Sequence, residues 1–133
     1  MPKLFLLFSH KLTPEQESEA RRSLGVVEFK TLERELLTCW KEVPPDVEDI
    51  REHLLPIFEW VAENAQSGDY VLIQGEPGAV YLAIGFAFEQ NLLPIYATTP
   101  RQVNTTKVSD KEIEKTSRFR HVRYRRYVPF KDD

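Results

Sequence analysis

The sequence predicts an α/β fold, a Rossmann-like parallel sheet with helices on both faces and a C-terminal antiparallel hairpin, and three observations carry that expectation. Apolar runs at 3–8, 70–74 and 92–97 have the pattern of strands buried on both faces. Stretches of helical periodicity separate the strands, and that alternation implies right-handed crossovers between parallel neighbours. Past Pro100 the helix signals stop and strand-like alternation replaces them.

Lys3-Leu4-Phe5-Leu6-Leu7-Phe8 reads as a first, central strand ending in Ser9-His10. Thr13 can cap a helix, Pro14 suits its first position, Gln16 closes a capping box, and Gly25 suits a left-handed stop. Residues 26–32 form a second strand whose β-branched start and later alternation place it nearer the sheet edge. A short helix over 33–41 presents Leu36, Leu37 and Trp40 before Pro44-Pro45 interrupts it. A longer helix is expected from Asp46, as cap, to about Ala65, with Val47, Ile50, Leu54, Ile57, Phe58 and Val61 at helical spacing. After the third strand, Gly75-Glu76-Pro77-Gly78 turns into an apolar helix over 79–90, and the fourth strand closes in Thr98-Thr99-Pro100. The segments 101–107, 112–116 and 121–128 are read as the appended hairpin, with Ser109-Asp110-Lys111 as a turn. One domain, 1–133, is expected, divided into a βαβ core over 1–100 and a basic C-terminal hairpin over 101–133.

A chain of 133 residues can bury roughly two-thirds of its unfolded surface. Cys39, the single cysteine, excludes an intramolecular disulfide, and no basic segment leading into an apolar run opens the chain, so a cytoplasmic location is expected. The longest apolar run, 79–88, is ten residues, about half a membrane span, and no membrane partner is expected. Charge is uneven: 1–100 hold 8 Lys and Arg against 16 Asp and Glu, whereas 101–133 hold 10 against 5. The basic stretch interleaves aromatics, as in Arg118, Phe119, Arg120, His121, Arg123, Tyr124, Arg125, Arg126 and Tyr127, which suits phosphates and bases. The competing reading is a solvated edge strand whose charges discourage edge-to-edge pairing. It is preferred, because an acidic chain is a poor general binder of duplex nucleic acid.

Ligands of open parallel sheets bind outside the strands' carboxyl ends, beside helix N-termini. Three polar loops fall there: Ser9-His10, Gln74-Gly75-Glu76-Pro77-Gly78, and Thr98-Thr99-Pro100-Arg101. Gly75 and Gly78 allow close backbone approach, and the N–H groups of Gly75 to Ala79 can receive a phosphate, provided Glu76 points away. Otherwise the glycines only make a tight turn. Ser9 can donate to a phosphate oxygen, and His10 can move a proton, as can His121 between Arg120 and Arg123. Thr98 and Thr99 offer hydroxyls, or merely finish the strand, and Arg101 can neutralise charge. Tyr81 can stack on a base or fill the core, and core is the preferred reading. No pair of histidines has metal-ligand spacing and Cys39 is remote in sequence, so no metal is expected.

The segments 4–13, Trp40 with Val43-Pro44-Pro45, 74–79, Pro94-Ile95-Tyr96-Ala97-Thr98-Thr99 with Arg101, and Phe119-Arg120-His121-Val122-Arg123-Tyr124 together resemble the Csx-twenty family of small CRISPR-associated proteins. That resemblance covers nearly the whole chain and implies a CARF-like Rossmann fold and kinship with ring nucleases of type III systems. Those enzymes cut cyclic oligoadenylate messengers and switch off the antiviral response. The resemblance further implies a symmetric homodimer holding cyclic tetra-adenylate across its two-fold axis, and cleavage by a ribose 2′-hydroxyl without metal or cofactor. Ser9 and the N–H groups of Gly75 to Ala79 would bind phosphate, His10 or His121 would transfer protons, and Arg101 or Arg123 would neutralise charge. The alternative is a sponge or sensor that binds the same ring without cutting it.

Overall fold

The structure, a computed structural model, describes residues 1–100, 104–109, 112–116 and 121–131. Four helices and five strands build the main layer: β1 (Lys3–Leu7), α1 (Pro14–Leu24), β2 (Glu28–Thr31), α2 (Arg34–Lys41), α3 (Arg51–Asn64), β3 (Tyr70–Ile73), α4 (Pro77–Glu89), β4 (Leu93–Thr98) and, after β5 (Asn104–Ser109) and β6 (Glu112–Thr116), β7 (Arg123–Arg126). The sheet order is β2-β1-β3-β4-β7, with the first four strands parallel and β7 antiparallel to β4. The expected Rossmann-like α/β architecture is therefore present.

Burial follows the strand period of two. Phe5, Leu7, Val71 and Ile73 face α2, α3 and α4, while Leu4, Leu6, Tyr70, Leu72 and Ile95 face α1. Both faces of β1 and β3 are thus dry, which is why their sequences run apolar without alternation. Asp69 fixes their starts: its buried carboxylate accepts from the N–H groups of Lys3 at 3.0 Å and Gln66 at 2.9 Å. The α1 signals hold as read, with Thr13 and Gln16 exchanging both capping-box bonds, Pro14 in the first turn and Gly25 at φ 70°.

Three expectations are corrected. The long helix starts at Arg51, not at Asp46, because the Asp49 side chain accepts from the Arg51 backbone N–H and grips its guanidinium, holding the chain in a turn there. That ion pair also holds the Asp49 carboxyl down to about 2. Exposed Pro56 sits inside the helix, at a position where its missing N–H interrupts only the solvent side. The second correction is that 121–128 does not join the hairpin. β5 and β6 pair with each other, whereas β7 adds to the main sheet with Ala97 opposite Tyr124. β7 is a solvated basic edge strand, the reading preferred for the segment. Third, Tyr81 is not core: it is 76% exposed and forms a stripe along α4 with exposed Gly85 and Phe88. No helix among the described residues is long and apolar enough to cross a membrane.

Leu72 lies on β3 with no exposed surface. Leu72→Ala is expected to lower unfolding stability by about 2–5 kcal/mol, read from the urea midpoint at unchanged slope.

Candidate functional site

Parallel strands end at one edge, so the loops after β1, β3 and β4 meet there. They enclose a cleft of about 770 Å³ whose wall takes Phe8, His10 and Lys11 from the first loop, Gln74 from the second, Ala97 and Thr99 from the third, the first turn of α1, and His121 ahead of β7. Ser9 lines an adjoining cleft of about 440 Å³ toward β2, and His10 borders both. The structure thus brings His10, Gln74, Thr99 and His121 around one cleft and puts Ser9 in the adjoining one. Arg101, like Arg118, Phe119 and Arg120, lies outside the described residues.

The glycine-rich loop differs from its sequence reading. Glu76 does not point away: it caps α4, its two carboxylate oxygens accepting from the N–H groups of Gly78 and Ala79, each at 3.0 Å. Pro77 has no N–H, so the first turn already holds an anion of its own. Gly75 is required by Trp40 instead. A Cβ there would lie 2.9 Å from the indole Nε1, which donates to the carbonyl of Gln74 at 3.1 Å. Gln74 in turn accepts from the Ala97 N–H at 2.9 Å, bridging β3 and β4 beyond their last paired residues.

Thr98 and Arg123 are likewise joined. The Thr98 hydroxyl donates to the Arg123 carbonyl and accepts from its N–H, stitching β7 to the end of β4. Arg123 remains exposed, with Nε on the Tyr124 carbonyl. Cys39 and His53 tie α2 to α3, the thiol donating to the His53 carbonyl at 3.0 Å and the imidazole Nε2 bonding the Cys39 carbonyl. Burial pushes that thiol up, away from reactivity. Among the described residues no three His, Cys, Asp or Glu side chains gather as a metal site.

The polar group that sequence reasoning missed is Glu19. It is 8% exposed in the middle of α1, and its Oε2 meets Nε2 of His121, itself 6% exposed, while Oε1 accepts from the Tyr124 N–H. The Tyr124 hydroxyl donates to the Gln16 carbonyl at 2.8 Å, and its ring leans on the imidazole at 4.8 Å between centroids. Burial first, then the charges of Glu19 and Glu17, push the phenol up, so it serves as a fixed donor. The other imidazole nitrogen, Nδ1, is buried without a hydrogen-bond partner among the described residues. Nothing in α1 marks Glu19 in advance, since its partner lies 102 residues away.

The chain matches the family described as "Uncharacterized protein MJ1673 family" over residues 2–125. It is 48% identical to the "Uncharacterized protein MJ1673" of Methanocaldococcus jannaschii over 130 residues, covering 98% of this chain and 100% of that protein. No solved structure matches it.

Because Glu76 satisfies two of the free amides of α4, Glu76→Ala is expected to cost about 0.5–2 kcal/mol of stability, measured by denaturant unfolding. Gly75→Ala should cost more than Gly78→Ala, since only the former drives a methyl into Trp40, whereas at Gly78 the added atom meets ordinary contacts at 3.4 Å.

Proposed function

The chain belongs to the MJ1673 protein family, and we propose, on the cleft and the resemblance noted above, that it binds a cyclic oligoadenylate, cyclic tetra-adenylate foremost, in the carboxyl-edge cleft and opens the ring without metal, ending type III antiviral signalling. The observation that carries this reading is that His10 and His121, one imidazole exposed and the other held against a carboxylate, line the same cleft. The resemblance to the Csx-twenty proteins supplies the messenger.

In the proposed reaction His121 accepts the 2′-hydroxyl proton and the 2′-oxygen bonds to the adjacent phosphorus. The bond from phosphorus to the 5′-oxygen breaks, and that oxygen takes a proton from His10. The products are a 2′,3′-cyclic phosphate and a 5′-hydroxyl, and neither water nor a cofactor is consumed. Lys11 and Thr99 line the cleft for phosphate contact, with Ser9 beside them; Arg123, and Arg101 with it, supply positive charge. Gly75 and Gln74 shape the wall, and the amides of Gly78 and Ala79 reach a phosphate only if Glu76 swings off them. The homodimer implied by the resemblance is supported by the apolar stripe Tyr81, Gly85 and Phe88, flanked by exposed Leu55 and Val128.

A second reading, a sponge that holds the ring intact, is favoured by one feature, the burial of His121 Nδ1. Pure protein incubated with cyclic tri-, tetra- and hexa-adenylate in EDTA separates the two. Cleavage predicts linear products ending in 2′,3′-cyclic phosphate, in molar excess over protein, from the tetra-adenylate. Intact ring recovered with the protein leaves the sponge, and no binding or thermal stabilisation by any ring overturns both. His10→Ala and His121→Ala are each expected to lower the single-turnover rate by about 10²–10⁴-fold while the protein stays folded. Tyr81→Asp should shift the mass in light scattering from dimer to monomer; an unchanged mass removes the α4 stripe from the interface.

A further inference from the structure

We infer that Glu19 is a positioning residue that sets the tautomer of His121, a residue bordering the cleft, so that the buried Nδ1 is the bare, proton-accepting nitrogen. The inference rests on the reading of His121 proposed above and deepens it. Both Glu19 oxygens are engaged as acceptors, Oε1 from the Tyr124 backbone N–H and Oε2 opposite the imidazole Nε2. A carboxylate can only accept, so the proton of a neutral ring belongs on Nε2 and the lone pair on Nδ1. Rotation is blocked as well: the Tyr124 ring lies against the imidazole and is pinned through its hydroxyl to Gln16 on the same helix as Glu19. Three constraints from two elements therefore fix one ring, and the nitrogen they leave over is buried with no partner among the described residues. Held this way, His121 needs neither to turn nor to exchange its own proton to accept one at Nδ1, once a substrate entering the cleft uncovers that buried atom.

The test reads the ring directly, in the free protein. With histidine labelled in ¹⁵N, long-range proton–nitrogen correlations report which nitrogen carries hydrogen, and His10→Gln and His53→Gln assign the three rings. The expected result is His121 protonated at Nε2 and bare at Nδ1. Glu19→Gln, which keeps the shape, should mix the two tautomers and slow single-turnover cleavage of cyclic tetra-adenylate roughly 10- to 100-fold with its binding constant unchanged. Glu19→Asp should recover part of both signals. A neutral His121 protonated at Nδ1, or a folded Glu19→Gln protein with the wild-type tautomer and rate, overturns the inference. If the wild type cuts no ring, the proposed function fails, while the spectra of the free protein still decide what Glu19 does.

Discussion

Leu4 to Leu7 pair in parallel with Tyr70 to Ile73, and every one of those side chains is buried between helices on two faces. Each such residue contributes about 1.5–3 kcal/mol on leaving water, so the sheet is stable only while both faces stay covered. Covering them requires that the chain cross over through a helix after each strand, and a parallel crossover always returns to the same end. The convergence of the loops after β1, β3 and β4 is therefore not arranged by the loops themselves. It follows from where the apolar residues go, and the polar residues are delivered to the cleft by core packing.

Within that edge, one kind of group is wanted for two purposes. The N-terminus of α4 could receive a phosphate, yet Glu76 already satisfies Gly78 and Ala79, and an incoming anion must displace a carboxylate tethered two and three residues away. A tethered anion has a high local concentration and a small ordering cost, so it outcompetes a free one unless other contacts help. Donors in the cleft that have no hydrogen-bond partner among the described residues include His10, Lys11 and Thr99. Under the proposed function, anion recognition would fall to the loop after β1 and the end of β4, with the α4 turn serving as a buttress. Gly75 belongs to the same buttress, since it admits Trp40, which ties α2 to the carbonyl of Gln74.

What could be read from the sequence was local or repeated. Thr13, Pro14, Gln16 and Gly25 mark α1 because a cap is built from residues three or four apart, and β1 is visible because burial on both faces leaves six apolar or amphipathic residues in a row. The start of α3 is not legible, because a short-range ion pair, Asp49 with Arg51, and two prolines override a helical pattern that continues back through Val47. For β7 the sequence specifies the conformation but not the partner. Alternation in Arg123-Tyr124-Arg125 specifies a half-solvated strand but not its neighbour, and only the buried Tyr124 ring, packed with Leu4, Leu72 and Ile95, shows why it joins the sheet. Glu19 was invisible, because a carboxylate in a polar helix looks like solvated surface until its distant partner is in place.

The pair of Glu19 and His121 is where stability and chemistry separate. Ionisable groups taken out of water lose hydration that their attraction only partly replaces, and apolar side chains of similar volume often serve such positions as well or better. Joining α1 to β7 does not need them, for Tyr124 already does so with a buried ring and a 2.8 Å bond to Gln16. What the pair adds to an apolar contact is direction, an imidazole with one nitrogen engaged and the other left over. That leftover nitrogen is unfavourable by about 1–3 kcal/mol for as long as it is buried and unpaired. Among the described residues nothing offsets that cost, and under the proposed function a hydrogen-bond donor brought by the ligand would relieve it.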